Sequence, residues 1–376
     1  MGRHYRVAVV GFGHMHVNHV AAVFAEHPAV EMAACADTRP ARAELRVAPY
    51  TRAWNRQNVV SSCRVKKDWG EDWERMISTE RPDIVVCCTE NGRHADVVEA
   101  AAASGAAVCV EKPMAGTLEH AARMVRASTA ASTPLVVNWP LTWTPAVRLA
   151  FELVTRGEIG RVLEIKWRAG HTGPLGPGAA HAGVNDTAAT MSGPERAATW
   201  WHQSAAGGGA TLDFCSYGAM ICRWFLGEPA VAAMGMKANL DSQWGDADDN
   251  GAILLRFRSA MALLEASWTT FDHGVPCGPI VFGTTGTLVV DSRDGRDIVR
   301  VERGQGDTRI HEPPPLPTGR EQVAGEIVHH LGTGEPLHPT LDRDFNLDVM
   351  AMLDAGLRSS ASGRLEPVDG QSWRIG

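Results

Sequence analysis

VAVVGFGHMHVNHV, residues 7–20, is where the chain declares its fold. A continuous apolar run ends in Gly11, and a segment with apolar residues at helical spacing starts just after Gly13. A strand that feeds a helix through Gly-x-Gly is a turn on which a pyrophosphate can rest. The glycines let the backbone turn tightly and approach the phosphates, and the helix N-terminus adds partial positive charge. His16 stands where a third glycine would allow close helix–strand packing, so the pattern is incomplete by itself. Three histidines, His14, His16 and His19, raise the rival reading of a metal site. His14 and His16 are two apart on a turn, and no carboxylate cluster lies near them in sequence, so no metal is expected. The remaining alternative is an α/β domain whose glycine turn is purely structural.

Outward from this turn, VEMAACAD reads as a second strand ending on Asp37. A carboxylate there can bind both ribose hydroxyls of a dinucleotide and favours NAD, while Arg39 keeps NADP open. Residues 39–48 look helical and 49–70 irregular. Then strands and helices alternate: WERMISTERP, DIVVCCTEN, HADVVEAAAASG, AAVCVEKP, TLEHAARMVRAST and PLVVNWP. Continuous apolar strands between helices mean a parallel sheet covered on both faces, an α/β doubly wound domain over residues 1–138. Past residue 139 the strands lengthen and alternate. RVLEIKWRAGH and the segments between 230 and 301 predict a large, mostly antiparallel open sheet in an α+β domain spanning 139–376. Residues 172–199, rich in Gly, Pro and Ala, are long enough to be a binding loop or lid. HEPPPLP reads as a linker before closing helices, which can pack back on the first domain.

Composition excludes several classes. The chain has 376 residues, 44% hydrophobic and 21% charged, with net charge −7. That argues against a nucleic-acid surface. No run of about 18 apolar residues suggests a membrane span, and the N-terminus runs straight into a strand, so a cytoplasmic protein is expected. The eight cysteines (Cys35, Cys63, Cys87, Cys88, Cys109, Cys215, Cys222 and Cys277) include no C-x-x-C and lie mostly in apolar runs. They read as reduced, buried small hydrophobes.

Two further stretches carry chemistry. VCVEKPMA places Lys112 at the C-terminal end of a strand, the edge where ligands bind an open parallel sheet. Its ammonium can hold a substrate hydroxyl or help move its proton, and Pro113 permits a cis peptide. GGGATLDFCSYG (207–218) follows three glycines with Asp213 and Tyr217, four apart and so on one helix face. A carboxylate one turn from a phenol makes an acid–base relay, and both Lys112 and an oxidised nicotinamide would lower the phenol's pKa from about 10. The alternative is a core tyrosine and a capping aspartate.

Together these three stretches resemble the Gfo/Idh/MocA oxidoreductases over nearly the whole chain. VVCCTENGRHADVVEAAAASGAAVCVEKPMA is similar to that family's T-P-N…H…A…G-x-x-V-x-x-E-K-P segment, with Glu90 in place of the proline. GEIGRV resembles its G-x-I-G stretch, and His19 matches a histidine common on its first helix. Its motif G-G-G-x-x-x-D-x-G-x-H is matched at Asp213, with Cys215 for the glycine and Tyr217 for the histidine. A tyrosine-carrying minority includes glucose–fructose oxidoreductase and the dimeric dihydrodiol and aldose dehydrogenases. The resemblance implies an N-terminal Rossmann domain binding NAD, with NADP possible, and a substrate-binding and oligomerisation domain. It implies a cofactor cradle of Gly11, Phe12, Gly13, His14, Met15, Asp37, Thr38, Arg39, Thr89, Glu90, Asn91, His94, Glu111 and Lys112. Lys112, Tyr217 and Asp213 would be catalytic.

The expected activity is hydride transfer between a nicotinamide and a hydroxyl-bearing carbon of a sugar, polyol or glycoside. Tyr217 would take the hydroxyl proton, with Lys112 and Asp213 positioning it. Trp139, Trp143, Trp167, Trp200, Trp201, Trp244 and Trp268 fall in or near the second domain, where indoles can stack on sugar faces or simply fill the core. Substrate contacts are assigned to Lys112, Trp139, His171, Trp201, His202, Asp213 and Tyr217, with Arg168, His181 and Asp249 as further polar possibilities. The alternatives are a redox-assisted NAD-dependent glycoside hydrolase or lyase, which needs the same site, and a non-catalytic NAD or sugar sensor. The open sheet face needs a cover, so a homodimer or homotetramer is expected.

Overall fold

A computed structural model describes residues 3–39, 50–174, 192–271, 274–304 and 306–368. The first part runs β1 (Tyr5–Val10), α1 (Val17–Ala25), β2 (Val30–Ala36), α2 (Arg52–Ser62), β3 (Lys67–Asp68), α3 (Trp73–Glu80), β4 (Ile84–Cys87), α4 (His94–Ala103), β5 (Ala107–Glu111), α5 (Leu118–Ala131) and β6 (Leu135–Asn138). All strand pairs in it are parallel, in the order β3-β2-β1-β4-β5-β6. β4 and β5 are buried at every residue, because helices cover both faces. Strand order reverses between β1 and β4, so the turns after those two strands flank the crevice where such sheets take ligands.

The second part adds α6 (Pro145–Thr155), β7 (Val162–Gly170), α7 (Gly193–Ala198), α8 (Ala210–Leu226), β8 (Ala232–Ala238), β9 (Asn250–Arg256), β10 (Met261–Ser267), β11 (Ile280–Gly283), β12 (Thr287–Arg293), β13 (Arg296–Glu302), β14 (Thr308–His311), α9 (Val323–Thr333), α10 (Arg343–Ser362) and β15 (Glu366–Pro367). Nine of these strands form one sheet, β14-β13-β12-β11-β7-β10-β9-β8-β15. Its pairs are antiparallel except β7 with β10. β10 alternates buried and open positions along its whole length, the mark of a sheet with one covered face. α8 covers the inner face so closely that a Cβ on Gly218 would stand 2.6 Å from Leu264 and 2.9 Å from Trp167. α9 returns to the first domain, where Val323, Ala324 and Ile327 join the core that holds Val7, Val9 and Val17.

Several local expectations change. Residues 52–62 form α2 rather than irregular chain, and its buried positions include Arg52 and Asn55, so no apolar stripe announces it. Of the helix expected over 39–48, all but Arg39 lies outside the described residues. IVFGTTGTLVVD is a hairpin, β11 and β12, turning through residues 284–286. β14 directly precedes the proline-rich linker. Among the described residues, no helix is long and apolar enough to cross a membrane.

Candidate active site

β5 delivers Lys112 at its C-terminal end, through a cis peptide to Pro113. α8 delivers Asp213 and Tyr217 from the other domain, one helical turn apart. Lys112 Nζ donates to Asp213 Oδ1 at 2.5 Å and stands 4.3 Å from the centre of the Tyr217 ring. Trp268 Nε1 donates to Asp213 Oδ2 at 3.3 Å. The tyrosine ring lies between two indoles, Trp139 at 5.8 Å and Trp167 at 6.0 Å.

Lys112 is buried while Asp213 and Tyr217 are half-buried, and burial sets the electrostatics of the cluster. Burial pushes the Tyr217 phenol up to about 12, outweighing the opposing pull of the Lys112 ammonium. The sequence predicts a phenol lowered by Lys112 and an oxidised nicotinamide together; Lys112 alone acts in that direction here, and burial outweighs it. Burial alone would lower Lys112, yet the charge and hydrogen bond of Asp213 hold it above the ordinary lysine range. Asp213 is held below the usual carboxylate range by Lys112, against the effect of burial. The resting site is therefore an ammonium–carboxylate pair beside a neutral phenol.

The substrate residues separate into two groups. His171 lies near the cluster, its ring 5.0 Å from Phe214, and burial lowers its pKa against the pull of Asp213. His202 packs against Trp268 at 5.4 Å and Trp244 at 6.0 Å, is 5% exposed, and its Nδ1 has no partner. Trp139, by contrast, is 0% exposed and spends its N–H on Asn346 at 2.7 Å, so it backs Tyr217 from within the core. Trp201 stacks on Trp200 and meets His14 at 4.8 Å, which puts it over the nucleotide turn. Arg168 pairs with Glu265 at 2.7 Å in a sheet position open on the outer face. Asp249 accepts the backbone N–H groups of Leu240, Asp241 and Ser242, a turn-building role. His181 lies outside the described residues.

On the dinucleotide side, Gly11 adopts φ +89, and a Cβ there would stand 2.3 Å from Thr89. Only glycine therefore fits between the turns after β1 and β4. His14 N–H donates to Cys88 O at 3.0 Å, and Trp200 Nε1 donates to Gly13 O at 2.7 Å. Phe12 is wholly buried in the core. His94 braces two loops, its ring nitrogens at 3.1 Å from Met114 O and 3.3 Å from Thr89 O. Met15 is buried and its carbonyl accepts from Asn18 at 2.9 Å. Asp37 ends at the sheet edge, where burial raises its carboxyl against the pull of Arg52. Thr38 Oγ1, Glu90 Oε2 and Asn91 Oδ1 are buried without hydrogen-bond partners along the same edge. Such groups are costly unless a polar ligand satisfies them, so the edge fits a dinucleotide, whose ribose hydroxyls can donate to the two acceptor oxygens.

The histidines acquire an acid from far along the chain. His16 Nδ1 is 3.1 Å from Glu111 Oε2, and Asn138 Nδ2 donates to Glu111 Oε1 at 3.0 Å. The ligand atoms of His14, His16 and Glu111 all lie within 4.8 Å of one another. Residue types at positions 14 and 16 gave no sign of Glu111. Nor does any local pattern announce Arg52, which joins Asp37 to Glu90, or the link from Trp268 to Asp213.

Comparison with known proteins places this geometry. Residues 5–139 match the model of an oxidoreductase family with an NAD-binding Rossmann fold, and residues 147–289 match the GFO/IDH/MocA C-terminal domain. The chain is 27% identical to D-xylose 1-dehydrogenase (NADP+) of Haloarcula marismortui over 188 residues, 50% of this chain and 48% of that one. The alignment thus spans about half the length of that relative. It is 23% identical to scyllo-inositol 2-dehydrogenase (NAD+) of Bacillus subtilis over 361 residues, 93% of each. The crystal structure of aldose-aldose oxidoreductase from Caulobacter crescentus, complexed with glycerol, superposes with TM-score 0.74 at 22% identity, covering 97% of this chain and 100% of that one. A second solved structure, levoglucosan dehydrogenase with NADH and levoglucosan, gives 0.73 at 21% identity over 98% and 100%. At these identities the structural matches speak for the fold.

Proposed function

The chain belongs to the GFO/IDH/MocA oxidoreductase family, and from that premise we propose that it is an NAD(P)-dependent dehydrogenase of a sugar, polyol or related glycoside. The observation that carries this reading is the meeting of Lys112 from β5 with Asp213 and Tyr217 from α8 across the domain boundary. The names of the relatives support the substrate class: xylose, scyllo-inositol and levoglucosan are all polyhydroxylated.

Bound at the β1–β4 crevice, NAD or NADP supplies a hydride acceptor in its nicotinamide. The protein's own task is to hold a hydroxyl-bearing carbon and move one proton. Lys112 donates hydrogen bonds and stabilises negative charge developing on the substrate oxygen. Tyr217 accepts the hydroxyl proton in oxidation and returns it in reduction. Asp213 fixes the ammonium on one side of the substrate oxygen, and Trp268 fixes Asp213. Trp139 and Trp167 hold the phenol ring between them and exclude water. The neutral phenol beside a charged lysine is poised to give a proton, so carbonyl reduction needs no prior ionisation, whereas oxidation does. Met234, Met236, Leu254 and Met261 stand exposed on the sheet's outer face, which supports assembly into a homo-oligomer through that face.

The test is incubation with NAD, then NADP, against free sugars, polyols and aryl glycosides, following reduced cofactor and product mass. Reduced cofactor formed with a product two hydrogens lighter supports the proposal. Aglycone release with cofactor unchanged points instead to redox-assisted cleavage. Cofactor binding without turnover across the panel contradicts both.

A further inference from the structure

α2 opens with a buried arginine. Arg52 is 4% exposed, its Nη1 donating to Asp37 Oδ1 and its Nη2 to Glu90 Oε1. Both acids are 1% exposed. Asp37 Oδ1 also accepts from Thr38 N at 2.8 Å, and Arg39 Nε approaches Glu90 Oε1 at 3.4 Å. A buried ion network of this kind is weak evidence of a stabilising device, because desolvation offsets most of the attraction. Its position says more. Arg52 Nη2 stands 2.8 Å from where a Cβ on Gly13 would be. The second glycine of this turn lacks a side chain so that a pyrophosphate can come close, and here a guanidinium occupies that approach. A planar fork of donors matches phosphate oxygens better than any other side chain.

We propose that Arg52 is a diphosphate clamp: Asp37 and Glu90 hold it at the glycine turn, and it pairs with the cofactor's diphosphate when the dinucleotide binds. This rests on the dinucleotide-binding reading above. Glu90 is then both holder and rival. It keeps the buried cation paired beforehand and competes with the phosphates for it afterwards. Its Oε2, buried with no partner, marks an acid that is incompletely satisfied where it stands.

Calorimetric binding of NAD and NADP to the full chain tests the assignment, with Glu90→Gln, Arg52→Gln and the double variant Arg52→Gln/Glu90→Gln. Thermal melting of each variant establishes that it is folded. Because Arg52→Gln alone strands two buried acids, the double variant is the fair comparison. Glu90→Gln is expected to tighten both cofactors several-fold, since a competing charge is removed. The double variant is expected to bind both about tenfold to a hundredfold more weakly than Glu90→Gln, the size of a lost charge-assisted pair. A brace without a phosphate partner predicts no tightening in Glu90→Gln and equal affinities in the single and double variants, which would overturn the clamp. Weakening confined to NADP would put Arg52 at the ribose 2′ position and overturn it equally. If the native chain binds neither cofactor, the dinucleotide reading fails and the clamp with it.

Discussion

Trp268 donates its indole N–H to one oxygen of Asp213 while Lys112 holds the other. The carboxylate is thus gripped from the sheet and from the nucleotide domain at once, which fixes the lysine's aim. Trp268→Phe keeps the ring and removes the donor. It is expected to lower kcat about threefold to tenfold, less than the full value of a hydrogen bond to a charged group because Trp268 acts on the lysine only through Asp213, with cofactor affinity unchanged. Steady-state kinetics and cofactor titration check this. A change in cofactor affinity with kcat intact would place Trp268 elsewhere in the mechanism.

Lys112→Ala and Tyr217→Phe are each expected to lower kcat by about a hundredfold to ten-thousandfold, as loss of a positioned acid–base group does. Tyr217→Phe retains the ring held between Trp139 and Trp167, so its melting temperature should move little. Full turnover in both variants would mean that the chemistry lies elsewhere.

The phenol of Tyr217, pushed up to about 12 by burial against the pull of Lys112, gives the two directions different pH behaviour. Oxidation needs the ionised form, so its kcat/KM should climb with pH through the neutral and mildly alkaline range. Reduction needs the protonated form and should stay flat there. Rate profiles in both directions measure this, and Tyr217→Phe should flatten the first. An oxidation rate independent of pH would exclude the phenol as base.

His202 supplies a stability prediction. Burial, assisted by the charge of Arg196, lowers it to about 4 from 6.5. Between those values the unfolded chain binds a proton that the folded one rejects, so stability is full above the unfolded value and declines as pH falls toward the folded one. The shift corresponds to at most about 3 kcal/mol. His202→Phe should shrink the acid-side loss measured by urea unfolding at pH 7 and pH 5. Part of the loss persists, because burial lowers His338 to about 4 as well. An unchanged difference between the two pH values would show that His202 titrates normally.

How far the sequence reached depended on whether partners were near in the chain. Lys112 was legible because parallel strands read as apolar runs whose ends are easy to place, and that edge is where ligands bind. Asp213 and Tyr217 were legible because four residues make one helical turn. α2 was hidden because its buried face is polar, with Arg52 and Asn55 inside. The indole of Trp139 looked available for a sugar until Asn346, at the far end of the chain, took its N–H. His16 and Glu111, far apart in the chain, are likewise brought together only by the fold. At Tyr217 burial outweighs the pull of Lys112, and desolvation depends on packing from both domains, which no local pattern encodes.

The central claim is direct hydride transfer at the Lys112–Tyr217 site. With the best substrate of the panel deuterated at the carbon to be oxidised, mass spectrometry of the reduced cofactor is the most direct measurement. One deuterium per turnover carried into the cofactor, lost together with turnover in Lys112→Ala, is the predicted result. Substrate consumed with its deuterium released to water, or retained while the cofactor stays unlabelled, would contradict the account.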